Sequence, residues 1–507
     1  MASDKIVRVP IALLGIAGFV IGLVASYWVA GFFGFSPALM WSVLVILFVV
    51  GVFFLEHPKL YLYFVFFYHA VSFNGLFFGC LYVPIPFIGI LDEALLAVPM
   101  AIIVMKAIHR QLPRGATFFP LLYLGLALLS WKVNHVPTLN FIRVTLSYGK
   151  FYIFWFYARA IGPWSPREKK LWFIMLLALA FLQLPFNVVW QKGLSIRLTA
   201  DDSRGSIGSA HIVGYMSVIA LFLLGGWLFS LKPPVPRKRV ALALFMALLI
   251  AYDLIFLTDT KHVLLMVPLA AAPMFLFPRI GIRNRVLFGL AMLVFLVASW
   301  VYLSFATKSW ENRPAMVMHS MKYSGKGAVF RTITRDLAGE VPLLGLLGAG
   351  PGNFCSTVGT YSMRPLANKY VLPYVLTAFR SRGQAAETSV IGSAMSSLYT
   401  LWGEFGPISM AFYFWFWFAA MRHLWRLCLQ DPGFSFETGQ RLGIIGGVIT
   451  VFLVGMLIET FNLSMLMLPL WSLVGIHWVS GPEAPTQRKE DELALQVGSS
   501  FRMPFRF

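Results

Sequence analysis

The stretch "DDSRGSIGSAHIVGYM" (201–216) brings Asp201, Asp202, Arg204 and His211 to the edge of a long apolar run. A neutral imidazole accepts a proton near working pH, and a guanidinium binds phosphate oxygens through parallel N–H groups. His211 is therefore a candidate proton acceptor, and Arg204 a candidate for contact with phosphate. Asp201 or Asp202 would hold Arg204 in place or repel a wrong acceptor. The acids and Ser203 also suit an ordinary helix edge, where they would serve as caps. A second stretch, "FLTDTKHVLLMVP" (256–268), is alike in kind, with Lys261 and His262 just before an apolar helix.

Two carboxylates, Glu387 and Glu404, lie near or within apolar sequence, where an ionised group is costly. Each either pairs with an arginine for structure or takes a proton from a sugar hydroxyl. Arg331 and Arg335 stand four apart in "YSGKGAVFRTITRDLAGEVPLL" (323–344), which reads as an amphipathic helix with Phe330, Ile333, Leu337 and Val341 on one face. Such a helix would lie on the membrane surface with snorkelling arginines, or grip one phosphate-rich group. Together Arg197, Arg204, Lys261, Arg331, Arg335 and Arg380 could line one cavity suited to a pyrophosphate, because distributed cations stabilise a diphosphate as it leaves. The glycine-rich "GLLGAGPGNF" (345–354) lacks the GK[ST] ending of a P-loop, and its glycines suit tight turns at re-entry into a bundle.

These residues must be held by membrane helices. The chain is 59% hydrophobic and 12% charged, with a mean hydropathy of +0.76. A soluble domain carries about twice that charge density. Apolar blocks recur at a length that crosses a hydrocarbon core of roughly 30 Å, and in lipid they must be helices to satisfy their own backbone. The alternation of barrel strands is missing. The reading is an all-α polytopic membrane protein of fourteen spans, near 8–30, 37–55, 61–82, 91–108, 117–131, 140–159, 170–190, 210–229, 239–257, 263–279, 285–305, 403–421, 443–460 and 464–480.

Its organisation divides into N-terminal spans (1–190), central spans (191–305), a long basic loop with a re-entry segment (306–402), C-terminal spans (403–480) and a polar tail (481–507). Basic clusters at 106–114, 159–170, 232–239, 279–285 and 422–441 fall on one side when the spans alternate. The positive-inside rule makes that side cytoplasmic, with both termini there and residues 191–209 and 306–385 outside. The long loop escapes that rule, and its excess of Lys and Arg suits an anionic partner such as a lipid headgroup. The formal net charge is +20.

Cys80, Cys355 and Cys428 are too far apart for a disulfide framework, and no zinc-binding spacing occurs. No metal or cofactor is expected, and nothing points to nucleic acid.

At this point the chain resembles the O-antigen polymerase and ligase superfamily of bacterial envelope proteins. The matching pieces are "SRGSIGSAHIVGYMSVIALFL" (203–223), "DTKHVLLMVPLAAAP" (259–273), "RTITRDLAGEVPLLGLLGAGPGNF" (331–354) and "ETSVIGSAMSSLYTLWGEFGPISMAFYF" (387–414), in the family's order. The resemblance covers about 200–420. His211 stands where many members have Asn, Lys261 where relatives often have Arg, and Glu387 begins a region where ligases carry histidine. The last departure favours a polysaccharide polymerase over a ligase of the same superfamily.

The resemblance implies a bundle like that of other lipid-linked-sugar enzymes (GT-C-like), in the bacterial inner membrane. The implied donor is a glycan on undecaprenyl pyrophosphate, and the acceptor is the sugar end of a second lipid-linked repeat unit. The arginines would hold the pyrophosphate, and a carboxylate or histidine would activate the acceptor without a metal. Further implied partners are a chain-length regulator or export machinery. The rival from another class is a lipid-linked oligosaccharide transporter or flippase, against which stands the lack of an internal repeat.

Overall fold

The computed structural model describes residues 51–70, 95–109, 118–191, 210–231, 237–258, 261–306, 330, 332–341, 343–356, 358–359, 362, 364–370, 396–431, 433–457 and 464–478. Among these residues there is no strand. In chain order the helices are α1 (Pro58–Ala70), α2 (Ala97–Ile108), α3 (Phe118–Val133), α4 (Thr138–Ala160), α5 (Pro166–Pro185), α6 (Ala210–Ser230), α7 (Arg237–Tyr252), α8 (Lys261–Ala270), α9 (Ala272–Leu276) and α10 (Ile282–Ala306). They continue with the short α11 (Leu344–Leu347), α12 (Pro365–Tyr370) and α13 (Ser397–Thr400), and then α14 (Gly406–Gln430), α15 (Phe436–Leu457) and α16 (Ser464–Ile476).

Among the described residues, four helices are long and apolar enough to cross a membrane: Pro166–Val188, Ile212–Ser230, Ile282–Val301 and Phe436–Met456. The protein is thus an all-helical, multi-pass membrane protein in its described part. Shorter apolar helices, Ala97–Ile108, Phe118–Val133, Met266–Leu276 and Leu466–Ile476, stand beside them. The expected spans near 8–30 and most of 37–55 lie outside the described residues.

Burial separates two kinds of helix. α10 turns most of its surface outward, with Leu290, Leu293, Val294 and Val297 exposed, as a lipid-facing helix does. α6 and α15 are buried along most of their length and pack on each other. Their backbones touch at Gly226 and Gly439, where a Cβ added to Gly226 would lie 2.0 Å from the carbonyl oxygen of Gly439. Only hydrogen side chains permit that approach, the usual device for close helix pairs in lipid.

A second centre is aromatic. Phe151 and Trp155 of α4, Tyr413, Phe416 and Trp417 of α14 and Trp471 of α16 form tilted and edge-on pairs, among them Trp155–Phe416 at 4.8 Å and Phe151–Trp471 at 4.8 Å. Rings in this geometry add attraction beyond the area they bury.

One end of the bundle gathers basic side chains. Lys59 donates to Glu168 (2.7 Å) and to the Pro163 carbonyl (2.9 Å), while Ser165 and Glu168 close a capping box on α5. Lys169 and Arg441 both reach Glu437, at 2.7 and 2.8 Å. Arg279 donates to the Leu429 carbonyl, and Arg285 to the carbonyls of Phe277 and Ile280. Arg159 stacks over Trp155 and Trp478. Asp431 accepts from Gly433, Ser435 and Thr438 in the turn that leads into α15. Burial alone would raise its carboxyl; the Ser435 and Thr438 hydroxyls and the two N–H groups outweigh that and hold it below the ordinary carboxylate value.

At the opposite end, here the loop end, helices give way to wider π turns. Such segments follow α5 (Phe186–Gln191), α7 (Asp253–Leu257) and α13 (Leu401–Phe405). π-bulges free backbone groups and re-aim side chains, and they concentrate at functional sites.

Candidate functional site

At the loop end, the tips of α3 and α4 receive the glycine-rich segment 347–356. Ser130 Oγ donates to the Leu347 carbonyl (2.6 Å), and Asn134 Nδ2 donates to the Gly348 carbonyl (3.1 Å). Asn140 Nδ2 donates to the Gly352 carbonyl (3.3 Å), while its Oδ1 accepts from Ser362. From the other side, Ala349 N–H donates to the Gly403 carbonyl (2.7 Å) and Gly350 N–H to the Glu404 carbonyl (2.9 Å). The segment is thus laced between two helix tips and one π turn.

At its centre sits the side chain of Glu404, which is fully buried. Its Oε2 accepts the Gly352 N–H (2.7 Å), and its Oε1 accepts those of Phe354 (3.0 Å) and Ser356 (2.8 Å). Hydrogen bonds from alternate N–H groups wrap the loop around one carboxyl group, the arrangement that backbone nests offer to an anion. Gly352 can take part because its φ is +84° and because a Cβ there would press 2.9 Å from Asn140 Cβ. The glycines were expected to serve tight turns; here they also bring N–H groups onto an acid of the same chain. Glu404 contacts no cation among the described residues.

The loop has its own small core: Ile333, Leu337, Val341, Leu344, Ala349, Phe354, Cys355 and Ala367, with Tyr399 and Trp402 against it. The helical spacing of Ile333, Leu337 and Val341 therefore marks true burial. The local shape differs from the expected surface helix: Thr332–Asp336 is a π turn and Leu337–Gly339 a 3-10 turn, while Phe330 is exposed. The physical reason is that these side chains are covered by the loop's own residues, so the backbone follows that core and not a flat membrane surface. Arg335 is exposed on this unit.

Further along the loop, Glu340 accepts from Lys369 and Tyr370. Those two hydrogen bonds hold its carboxyl below the ordinary value. Arg364 is half-buried, and its Nε donates to Asn353 Oδ1 (3.0 Å).

Of the residues singled out in the sequence, Glu404 and Arg335 lie on this one structural unit. His211 and Lys261 open α6 and α8, and only their backbone is described. Asp201, Arg197, Arg204, Arg331, Arg380 and Glu387 lie outside the described residues.

The structure also presents residues that sequence reasoning passed over. Asp253, fully buried, begins the π turn after α7 and accepts from Asn187 (2.8 Å) in the π turn after α5. A lone acid inside an expected span, and an Asn inside another, were the signals. Lys150, midway along α4, is likewise buried. Asn134, Asn140 and Asn353 carried no sequence signal beyond being amides near turns.

Among the described residues, no group of three or more His, Cys, Asp or Glu could hold a metal ion. The arrangement can hold a loop rigidly at the end of an apolar bundle and present cations from it. Compared with models of known protein families and with curated proteins, the chain finds no match.

Proposed function

We propose that this protein is a membrane glycosyltransferase of the polysaccharide-polymerase type, working at the loop end of the bundle. The observation that supports it best is the basic loop anchored by Glu404: a preorganised polar unit set on one end of the membrane helices, with Arg335 and Arg364 on it. The donor is a glycan on undecaprenyl pyrophosphate, and the acceptor is the sugar end of another lipid-linked repeat unit. In this reading the basic end faces the cytoplasm of a bacterial inner membrane, the chain crosses fourteen times, both termini are cytoplasmic and the loop is extracytoplasmic.

The acceptor hydroxyl oxygen forms a bond to the anomeric carbon of the donor while the bond from that carbon to the diphosphate oxygen breaks. The hydroxyl proton passes to His211 or Glu387, and the lipid diphosphate leaves as an anion. Arg197, Arg204, Lys261, Arg331, Arg335 and Arg380 stabilise its charge. Glu404, with both oxygens engaged by N–H groups, keeps the shape of the loop in this scheme.

The test is polymerisation by the purified protein in nanodiscs, supplied with undecaprenyl-pyrophosphate-linked repeat units and followed as a ladder on gels. The wild type should form polymer. Arg331→Ala with Arg335→Ala should abolish it, and His211→Ala or Glu387→Gln should change its pH profile. Full polymer from the double alanine variant would overturn the placement of the diphosphate.

A second reading, a lipid-linked oligosaccharide flippase, is favoured by one observation. Asp253 is an acid buried between two helices interrupted by π turns, and intramembrane acids of this kind mark transport paths. Translocation of a fluorescent lipid diphosphate in proteoliposomes, lost in Asp253→Asn, would favour it over the polymerase.

A further inference from the structure

The loop end contains a guanidinium whose anchoring is more complete than its use. Asn353 is buried (6% exposed) and its side chain is fixed at both ends: Nδ2 donates to the Ala349 carbonyl (2.9 Å), so Oδ1 must face Arg364 Nε, 3.0 Å away. The backbone under Asn353 is fixed as well. The N–H groups on either side of it, at Gly352 and Phe354, both end on Glu404, and its own N–H donates to the Gly350 carbonyl. Arg364 N–H in turn donates to the Gly359 carbonyl, and Gly359 N–H to Ser356 Oγ.

A guanidinium carries five N–H donors, and Nε uses one. The four on Nη1 and Nη2 make no hydrogen bond and no ion pair among the described residues. Among the described residues, the loop carboxylate Glu340 is engaged by Lys369 and Tyr370, and Glu404 by backbone N–H groups. Arg364, half-buried, is therefore held in one orientation through Nε, with its double Nη edge unengaged among the described residues. A planar edge of this kind matches two oxygens of a phosphate group. Holding it in advance removes the ordering cost that a freely rotating arginine bears on binding.

We propose that Arg364 is a phosphate-binding residue for the diphosphate of the lipid carrier, and that Asn353 is its positioning residue. This deepens the function proposed above and rests on it for the nature of the lipid. Nothing in the composition of the basic loop distinguishes Arg364 from its other cations. The distinction comes from the buried amide behind it.

The experiment is binding of farnesyl diphosphate to the full chain in uncharged nanodiscs, measured by calorimetry, with inorganic pyrophosphate and phosphatidylglycerol nanodiscs as separate arms. The wild type should bind farnesyl diphosphate, and Arg364→Gln should weaken it at least tenfold with the melting temperature unchanged. Arg364→Lys should recover only part, because the fork is lost. Asn353→Asp should pair with the arginine and neutralise it, so that affinity falls; because its second oxygen would face the Ala349 carbonyl where Nδ2 donates, its melting temperature should fall as well.

Equal affinity in wild type and Arg364→Gln would overturn the proposal, as would the absence of farnesyl diphosphate binding in the wild type. A response to Arg364→Gln only in the phosphatidylglycerol arm would overturn it in favour of a bulk headgroup contact. Intact binding that depends on Arg364, in a protein that forms no polymer, would sink the polymerase reading and leave this site standing.

Discussion

At the basic end of the bundle, Glu437 lies between Lys169 and Arg441, and Arg279 and Arg285 close on backbone carbonyls. At the loop end, the buried carboxylate Glu404 meets backbone N–H groups instead, and Arg364 keeps most of its donors. The two ends treat the same chemistry oppositely. Where cations are matched by carboxylates and carbonyls, they tie helices together and leave little charge for anything else. Where a carboxyl group is matched by amides, it takes no cation as partner among the described residues, and Arg335 and Arg364 of the same loop are not spent on it. A loop folded around an Arg–Glu pair would have been held in place too, but it would have had one fewer cation to offer.

The sharpest way to break this comparison is Glu404→Ala. It removes the acceptor of three buried N–H groups, and each orphaned donor costs about 1–3 kcal/mol. The expected result is a large fall in melting temperature, with protease cleavage appearing within 345–370 before the basic end opens. A loop that stays protected would show that its own small core suffices to shape it.

A smaller effect is expected from Glu437→Gln, which leaves Lys169 and Arg441, both nearly buried, without their counter-charge. Because Glu437 is partly exposed, the loss should be ~2 kcal/mol, below that of fully buried pairs. Adding Lys169→Met should recover part of it, and a double-mutant cycle on thermal melts measures the coupling. Additive effects would mean that the charges close the end independently.

The smallest effect belongs to Asp431. Its folded carboxyl lies below the ordinary value, so its contribution is fully present above the unfolded value of about 3.9 and is lost as pH falls through the folded one. Asp431→Asn should lower stability by about 1 kcal/mol at neutral pH, as loss of a cap does. Melts of the two proteins should begin to converge as pH falls below about 4 and meet only below the lower, folded value. A gap that persists into that acid range would assign the effect to packing of the turn.

How far the sequence foretold this is a matter of range. The helices from α3 to α10 and from α14 to α16 follow the apolar runs, because lipid demands long uninterrupted apolar stretches. The π turns at Phe186–Gln191 and Leu401–Phe405 leave no such trace, since one extra residue in a turn does not alter an apolar composition. Ile333, Leu337 and Val341 announced a buried face correctly, but what buries them is Phe354 and Ala367, which only the folded loop brings near. Glu404 could be seen as a costly acid in apolar surroundings. Its partners, about fifty residues earlier in the chain, could not, because backbone N–H groups carry no sequence signature. The same holds for Asn353 and Arg364, eleven residues apart within a loop.

The π turn that carries Glu404 has a consequence in the language of genetics. Leu401–Phe405 holds one residue more than an α-helical path of equal length would use. An in-frame loss of a single codon just before it would let the backbone relax to an ordinary helix, with α14 still seated. Gly406, with a φ of +83°, separates this turn from α14, so the shortened stretch would shift Glu404 out of register with the amides it gathers. Point substitutions on the lipid-facing side of α14 should be tolerated freely, whereas this one-codon deletion should behave as a null allele.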